Sequence, residues 1–323
     1  MKRREHLAGL GALLLGAMAP AAAQTAYPSK PVRLLVGFPP GQATDTVARL
    51  LAERLAHRLG QPLVVENRPG QGGGAVLSYL KQQPADGYAL TMAATGAMVT
   101  NQYLQKNLPY RADDFAPIGL IGDLPLVLVA RPGMPFDDLQ GMVAYARANP
   151  GKLSYASPGN GTTSHLTMES LKKEAGIEIV HIPYQGSVRA LSDMMGGSVD
   201  VAFDTVAVTQ PHIESTRLKL LAVGHTQRLA QYPAAPTVAE SGYPRLVASV
   251  WLGAFASKQV PPAALQRLGE SLGQVLQEPE TRKKLADLGL IARSLDGEAF
   301  GRMLQEEGPR WKRIVETSGA QVD

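Results

Sequence analysis

Apolar residues in this chain gather into short blocks, and the spacing within blocks alternates between strand-like and helix-like. Residues 31–38 form a nearly continuous apolar block of strand length, the pattern of a strand covered on both faces. A loop of Pro39, Pro40, Gly41, Gln42 and Ala43 follows. From Thr44 or Asp45 onward, Val47, Leu50, Leu51, Leu55 and Leu59 recur at helical spacing until Gly60 stops them. Residues 62–66 predict a second strand, 72–82 a second helix and 88–94 a third strand. The same order then returns: strand 153–157, a Gly/Pro loop from Pro158 to Thr163, helix 164–175, strand 177–182, helix 188–195 and strand 199–203. Residue identity between the two copies is negligible, so the architecture is duplicated without a short-period repeat.

Alternating strands and helices predict an α/β fold with mostly parallel sheets. At 323 residues the chain is long for one core and sufficient for two lobes of about 150 residues each. Another apolar strand is expected over 247–256, after which Pro261 and Pro262 open a helical region running to the C-terminus. Leu265, Leu268, Leu272 and Leu276 give its first helix an apolar stripe. If this tail packs on the first lobe, the chain crosses between lobes twice, near 126–130 and near 247–251. The expected division is residues 1–23 as a leader, 24–127 with 248–323 as one lobe, and 128–247 as the other.

The leader reading rests on Lys2, Arg3 and Arg4, an apolar run over 7–18 too short to span a bilayer, and a small-residue cleavage site at Ala21–Ala23. Cleavage is expected after Ala23, placing the mature chain in the periplasm. Arg3 and Arg4 fit a twin-arginine or a general secretory route equally. Loss of the leader removes Lys2, Arg3, Arg4 and Glu5, so the net charge falls from +4 to +2. The remaining basic residues form no dense cluster interleaved with aromatics, which argues against nucleic acid as a partner. Cysteine is absent, so neither disulfides nor lipid attachment at the cleavage site is available.

Sequence signatures of catalysis and cofactor binding are missing. The run from Gly70 to Ala75 approximates a dinucleotide-binding glycine pattern, but it does not follow the first strand. The acidic residue expected about 20 positions later falls in the Asp86–Gly87 turn. It is read as a helix start. The histidines lack metal-ligand spacing, and no nucleophile–base pair is legible. The expectation is a protein without cofactor or metal and without enzymatic activity.

What remains are two loops of small residues, 38–45 and 157–165, each set directly before a helix. The first turn of a helix leaves backbone N–H groups unpaired and favours negative charge. Glycines let a ligand approach that backbone closely. Two opposed helix starts would receive an anion with a carboxylate at each end. Thr44, Asp45, Thr162 and Ser164 also fit a plainer role as helix caps. Asp204, ending the second lobe's third strand, points to the cleft as a counter-charge for a hydroxyl or ammonium group, or else caps a helix.

At these loops the chain resembles a known family. Tyr27-Pro28-Ser29-Lys30-Pro31-Val32-Arg33 with Phe38-Pro39-Pro40-Gly41 and Thr44-Asp45 is similar to the start of mature Bug/TctC proteins, the extracytoplasmic solute receptors of tripartite tricarboxylate transporters. Val65-Glu66-Asn67-Arg68-Pro69-Gly70, Ala85-Asp86-Gly87-Tyr88, Ser157-Pro158-Gly159-Asn160-Gly161-Thr162, His181-Ile182-Pro183-Tyr184-Gln185-Gly186 and Gly196-Gly197-Ser198-Val199-Asp200 resemble its further blocks. The resemblance implies a two-lobed periplasmic-binding-protein (Venus-flytrap) fold with two hinge crossings, closing on a mono- or dicarboxylate or an acidic amino acid. Its ligand residues would be Phe38, Gln42, Ala43, Thr44, Asp45, Ala94, Thr95, Ser157, Gly159, Asn160, Gly161, Thr162, Thr163, His165, Tyr184 and Asp204. The implied partners are the large and small membrane subunits of the transporter, with the receptor itself a monomer. An orphan sensory receptor for the same ligands is the alternative, and a periplasmic hydrolase a more remote one. One departure stands out: the family's first loop usually reads F-P-P-G-G, and Gln42 replaces its second glycine.

Overall fold

The structure is a computed structural model that describes residues 27–246 and 249–320. The expected leader and its cleavage site, and the first two residues of the return crossing expected near 247–251, lie outside the described residues.

The chain opens with β1 (Val32–Val36), α1 (Ala43–Leu59), β2 (Leu63–Asn67), a 3-10 turn over Gln71–Gly73, α2 (Ala75–Lys81) and β3 (Ala89–Ala94). A π-helical turn over Gly96–Thr100 runs into α3 (Asn101–Leu104) and leads to the long β4 (Phe115–Ala130). The second half holds α4 (Leu139–Ala148), β5 (Leu153–Ser157), α5 (Thr163–Ala175), β6 (Ile179–Pro183), α6 (Ser187–Met195), β7 (Val201–Thr205), α7 (Val206–Glu214) and β8 (Lys219–Val223). The last part is β9 (Ser249–Ser257), α8 (Pro262–Gln277), α9 (Pro279–Asp287), β10 (Ile291–Asp296) and α10 (Gly297–Ser318).

The strands follow the order β2-β1-β3-β9-β4-β7-β5-β6, with β8 and β10 also paired to β4. β1 pairs in parallel with β2 and β3, and β5 does so with β6 and β7, giving each lobe the same parallel unit. β4 joins the two. Its first part, through Pro125, pairs with β9, and from Leu126 it pairs with β7. A proline is tolerated in a central strand only where the ladder is interrupted. Pro117 sits beside a register shift, and Pro125 stands at the change of sheet. Leu126 through Ala130 are fully buried, so an unbroken apolar run is what this position demands.

Each sheet is covered on both faces. Val47, Leu51 and Leu55 of α1 and Leu268 and Leu272 of α8 fill one face of the first, joined there by α9. On its other face Phe300 of α10 packs against Trp251 and Phe255 of β9, both at ring separations of 5.2 Å. Met142, Met168 and Leu171 cover one face of the second sheet, and Ala190, Leu191 and Met194 the other.

Three expectations need correction. The sheets are not mostly parallel: β4 pairs antiparallel with β7, β8, β9 and β10, and β3 pairs antiparallel with β9, because β4 and β9 run between the two parallel units. The region 72–82 is not one helix: Gly72, left-handed at φ 58°, breaks the helical backbone within the 3-10 turn, and α2 begins only at Ala75. The tail is not helical throughout, because β10 interrupts it and pairs antiparallel with residues 119–123 of β4. Its six residues are mostly exposed and carry no apolar alternation, so periodicity gave no sign of a strand.

Removing the Phe300 ring should cost about 3–5 kcal/mol, the usual range for a fully buried aromatic cut to alanine. Urea denaturation of Phe300→Ala would measure it, and a loss below about 1 kcal/mol would mean that α10 does not complete the first lobe's core.

Candidate ligand-binding site

The first loop leaves β1 and enters α1. Asp45 on the first turn of α1 is 2% exposed, and its carboxylate accepts from the Gly41 N–H at 2.9 Å, Arg49 Nε at 3.0 Å and Asn67 Nδ2 at 2.8 Å. Burial works to raise its pKa; the bonds from Arg49, Asn67 and Gly41 outweigh it and hold the carboxyl below its ordinary value. Asn67 Nδ2 also donates to the Phe38 carbonyl at 2.9 Å. Asp45 and Asn67 therefore fix the loop's shape from behind. No side chain caps the first turn of α1.

The second loop leaves β5 and enters α5. Thr162 is the N-cap: its Oγ1 accepts from the His165 N–H and donates to the Gly159 carbonyl at 2.7 Å. His165 Nδ1 accepts from the Gly161 N–H at 3.2 Å, which turns the imidazole into a loop brace. Behind it the rings of His165, His181 and Tyr155 stack at 4.3 and 4.5 Å. Burial pushes both histidines down to about 4, so they are neutral supports rather than cations at neutral pH. Ser157 Oγ lies 2.7 Å from His181 Nε2, a nucleophile–base distance. Ser157 is only 1% exposed, however, and does not border the cleft chambers described next, so no substrate carbon has access to it there.

Between the loops lies a small chamber of about 40 Å³. The first loop and α1 contribute Phe38, Gln42, Ala43 and Thr44, and the start of α5 contributes Thr162, Thr163 and Ser164. Asp204 and Thr205 arrive at the junction of β7 and α7, so three helix N-termini meet here. Ala94, Gly96, Leu124 and Val250 supply apolar wall from the strand ends and hinge. Among the described residues, no arginine, lysine or histidine lines it.

The Thr163 hydroxyl in this wall is buried without a hydrogen-bond partner among the described residues, whereas the Thr205 side chain stands beside Asp204 and helps hold its carboxylate. A buried unpaired hydroxyl is costly and awaits a partner from whatever fills the space. Asp204, 2% exposed, accepts from Ser187 Oγ at 2.9 Å and from the Thr205 N–H at 2.7 Å. Burial without a cationic partner pushes its carboxyl up to about 6 despite these bonds.

Outside the chamber is a wider cleft of about 320 Å³, bordered by Gly159, Asn160 and Tyr184 on one side and by Phe38, Pro39 and 69–73 on the other. Phe38, Gly72 and Pro158 belong to both spaces. A Cβ on Gly72 would stand 2.6 Å from the Asn160 carbonyl, so glycine is what permits the lobes to meet at this seal.

The residues singled out from sequence thus fall into three places. Phe38, Gln42, Ala43, Thr44, Ala94, Thr162, Thr163 and Asp204 border the chamber. Gly159, Asn160 and Tyr184 border the outer cleft, with the Tyr184 hydroxyl donating to Asp193. Asp45, Thr95, Ser157, Gly161 and His165 stand behind the walls. The Thr95 hydroxyl accepts from the Trp251 N–H at 3.0 Å, and the Gly161 carbonyl accepts from Thr100 Oγ1 of the other lobe at 3.0 Å. Sequence reasoning passed over Thr205, Ser187, Leu124 and Val250. Thr205 was findable, because a Thr between a strand and an apolar run is a capping signal. The other three gain a role only through sheet order.

Two α/β lobes on a shared strand, with helix N-termini meeting at a chamber between them, define a two-lobed solute-binding protein. Comparison with known proteins agrees. The family model described as tripartite tricarboxylate transporter family receptor matches residues 47–320. BugT of Bordetella pertussis is 34% identical over 324 residues, covering 100% of this chain and 99% of BugT. An R. palustris protein solved with adipate superposes at a TM-score of 0.88 and 30% identity, over 92% of this chain and 100% of that one. MatC from Rhodopseudomonas palustris, with bound malate, gives 0.83 and 28%, over 90% and 100%. The chain belongs to the Bug/TctC family of tripartite tricarboxylate transporter receptors. Family and fold are those of binding proteins, not of enzymes.

The site makes stability pH-dependent. Asp204 titrates at about 6 when folded against an ordinary 3.8, so the fold favours its protonated form and loses that contribution as pH rises through this interval. His165 and His181 titrate at about 4 against 6.5, so the fold favours their neutral forms and loses stability as pH falls from 6.5 toward 4. Two imidazoles outweigh one carboxyl. The ligand-free protein should therefore weaken on acidification from pH 6.5 to 4, more steeply in Asp204→Asn and less steeply in His165→Asn. Denaturation midpoints that stay flat over this range in all three proteins would refute the assignment.

Proposed function

We propose that this protein is exported to the periplasm and that its mature form captures a small mono- or dicarboxylate, acidic amino acids included. It then presents that cargo to the large and small membrane subunits of a tripartite tricarboxylate transporter. The observation that carries the reading is a small chamber where three helix N-termini meet beside the unpaired hydroxyl of Thr163, with no basic side chain among the described residues of its wall. Helix-end amides and hydroxyls stabilise a carboxylate moderately, which suits a carrier that must release what it binds. The adipate and malate held by two structural neighbours support the same ligand class.

At about 40 Å³ the chamber has room for about three waters. An organic acid must enter with the lobes apart and hold the chamber wider than it is here, and a longer one would extend past Phe38 and Gly72 into the outer cleft. Asp204 favours a ligand with a hydroxyl, an ammonium group or a proton to donate at that end.

A thermal-shift panel of malate, succinate, adipate, citrate and glutamate tests the ligand class, since ligand at 100 times its Kd stabilises by about 2.7 kcal/mol. At least one member should raise the transition. Thr163→Val keeps the shape but removes the hydroxyl, and should weaken that ligand by about 2- to 10-fold, the worth of one neutral hydrogen bond. A panel without any shift would overturn the carboxylate reading while leaving the fold assignment intact.

A further inference from the structure

Gln42 occupies the N-cap position of α1 with an extended backbone, φ −79° and ψ 158°, yet its side chain does not cap that helix. It crosses the cleft instead. Gln42 Oε1 accepts from the N–H of Ser187, the first residue of α6 in the other lobe, at 3.1 Å. No side chain of its own lobe caps α6, because its N-cap is Gly186 at φ 118°. A Cβ at position 186 would stand 2.7 Å from Gln42 Oε1 and 3.1 Å from the Pro39 ring, so a bare glycine is what lets the amide reach. The helix is thus capped across the cleft, and only when the lobes are closed.

The hydrogen-bond partner also settles which way the amide faces. A backbone N–H only donates, so the atom opposite Ser187 must be the oxygen. Nε2 then has no hydrogen-bond partner among the described residues, although Gln42 is 7% exposed and borders the chamber. That NH₂ is free to donate to water there or to an oxygen of whatever fills the chamber. The Ser187 side of the contact leads to the chamber floor, since Ser187 Oγ donates to Asp204 at 2.9 Å.

We propose that Gln42 is the residue through which this receptor couples ligand class to lobe closure: Oε1 caps α6 across the cleft while Nε2 donates to a carboxylate oxygen of the bound ligand. The inference rests on the carboxylate-capture reading for its Nε2 half and stands apart from it for the latch. A ligand without an acceptor at that end leaves Nε2 to water and gains less from closure. Gln42 is in this sense a specificity-determining residue, tied to closure through one planar group.

Gln42→Glu separates the two halves. A glutamate still accepts from Ser187 N–H but places an anionic oxygen where the donor was. Gln42→Ala removes both. Titration calorimetry with malate and adipate at neutral pH should show at least about a tenfold loss of affinity in Gln42→Glu, the worth of a charge-assisted hydrogen bond. Amide hydrogen exchange at Ser187 in the ligand-free proteins should stay slow in Gln42→Glu and become faster in Gln42→Ala, each variant keeping the wild-type thermal transition as its folding control. Undiminished affinity in Gln42→Glu would overturn the donor role, and unchanged Ser187 exchange in Gln42→Ala would overturn the latch. If the wild type bound neither acid, the carboxylate reading and the donor role would fall together, while the exchange result would still decide the latch.

Discussion

One strand sets the relation between the two halves of this molecule. β4 supplies backbone partners to β9 and β10 in one sheet and to β7 and β8 in the other, and the change occurs across a single peptide unit, between Pro125 and Leu126. Neither sheet can form fully without it, because the buried backbone groups of four other strands find partners on it. The same strand carries Leu124 to the chamber wall, so the hinge and the ligand space share a residue. A rotation at this strand opens the chamber without disturbing either parallel unit, which is the mechanical requirement of hinge closure around a ligand.

Around that hinge the electrostatics follow from a lack of full charges. The chamber brings together helix-end dipoles, threonine hydroxyls and one carboxyl group, and its wall contains no basic side chain among the described residues. Arg49 stands close by but is spent on Asp45, behind the loop. A fully buried ion pair would hold an anion tightly and cost much to desolvate. Dipoles and hydroxyls are preorganised by the helices that carry them and hold it less firmly. The neutral imidazoles of His165 and His181 fit the same scheme, serving as stacked supports and hydrogen-bond acceptors for the second loop.

Particular residues mark how far the sequence could be read. The strands and helices of both parallel units were legible, because apolar spacing reports burial within one element and Gly60 and Gly176 mark helix ends with left-handed backbones. The two loops that border the chamber were legible for the same local reason: small residues stood directly before a helix start. Asp45 and His165 looked like ligand groups by position, yet their hydrogen bonds turn them into braces, a distinction that depends on Asn67 and Gly161 lying behind them. β10 left no trace, being short, exposed and without alternation.

The sequence by itself determined the local grammar: two strand–loop–helix units, small-residue loops before helix starts, and the absence of any cysteine or metal-ligand pattern. Only the tertiary structure decided that β4 serves both sheets, that Leu124 and Val250 border the chamber, and that the Thr163 hydroxyl in its wall is left unpaired. It alone decided that Gln42 caps a helix 145 residues away. The physical reason is that periodicity along a chain records which side of an element is buried. Which partner covers that side is fixed by strand order and lobe closure, and these arise only when distant segments meet.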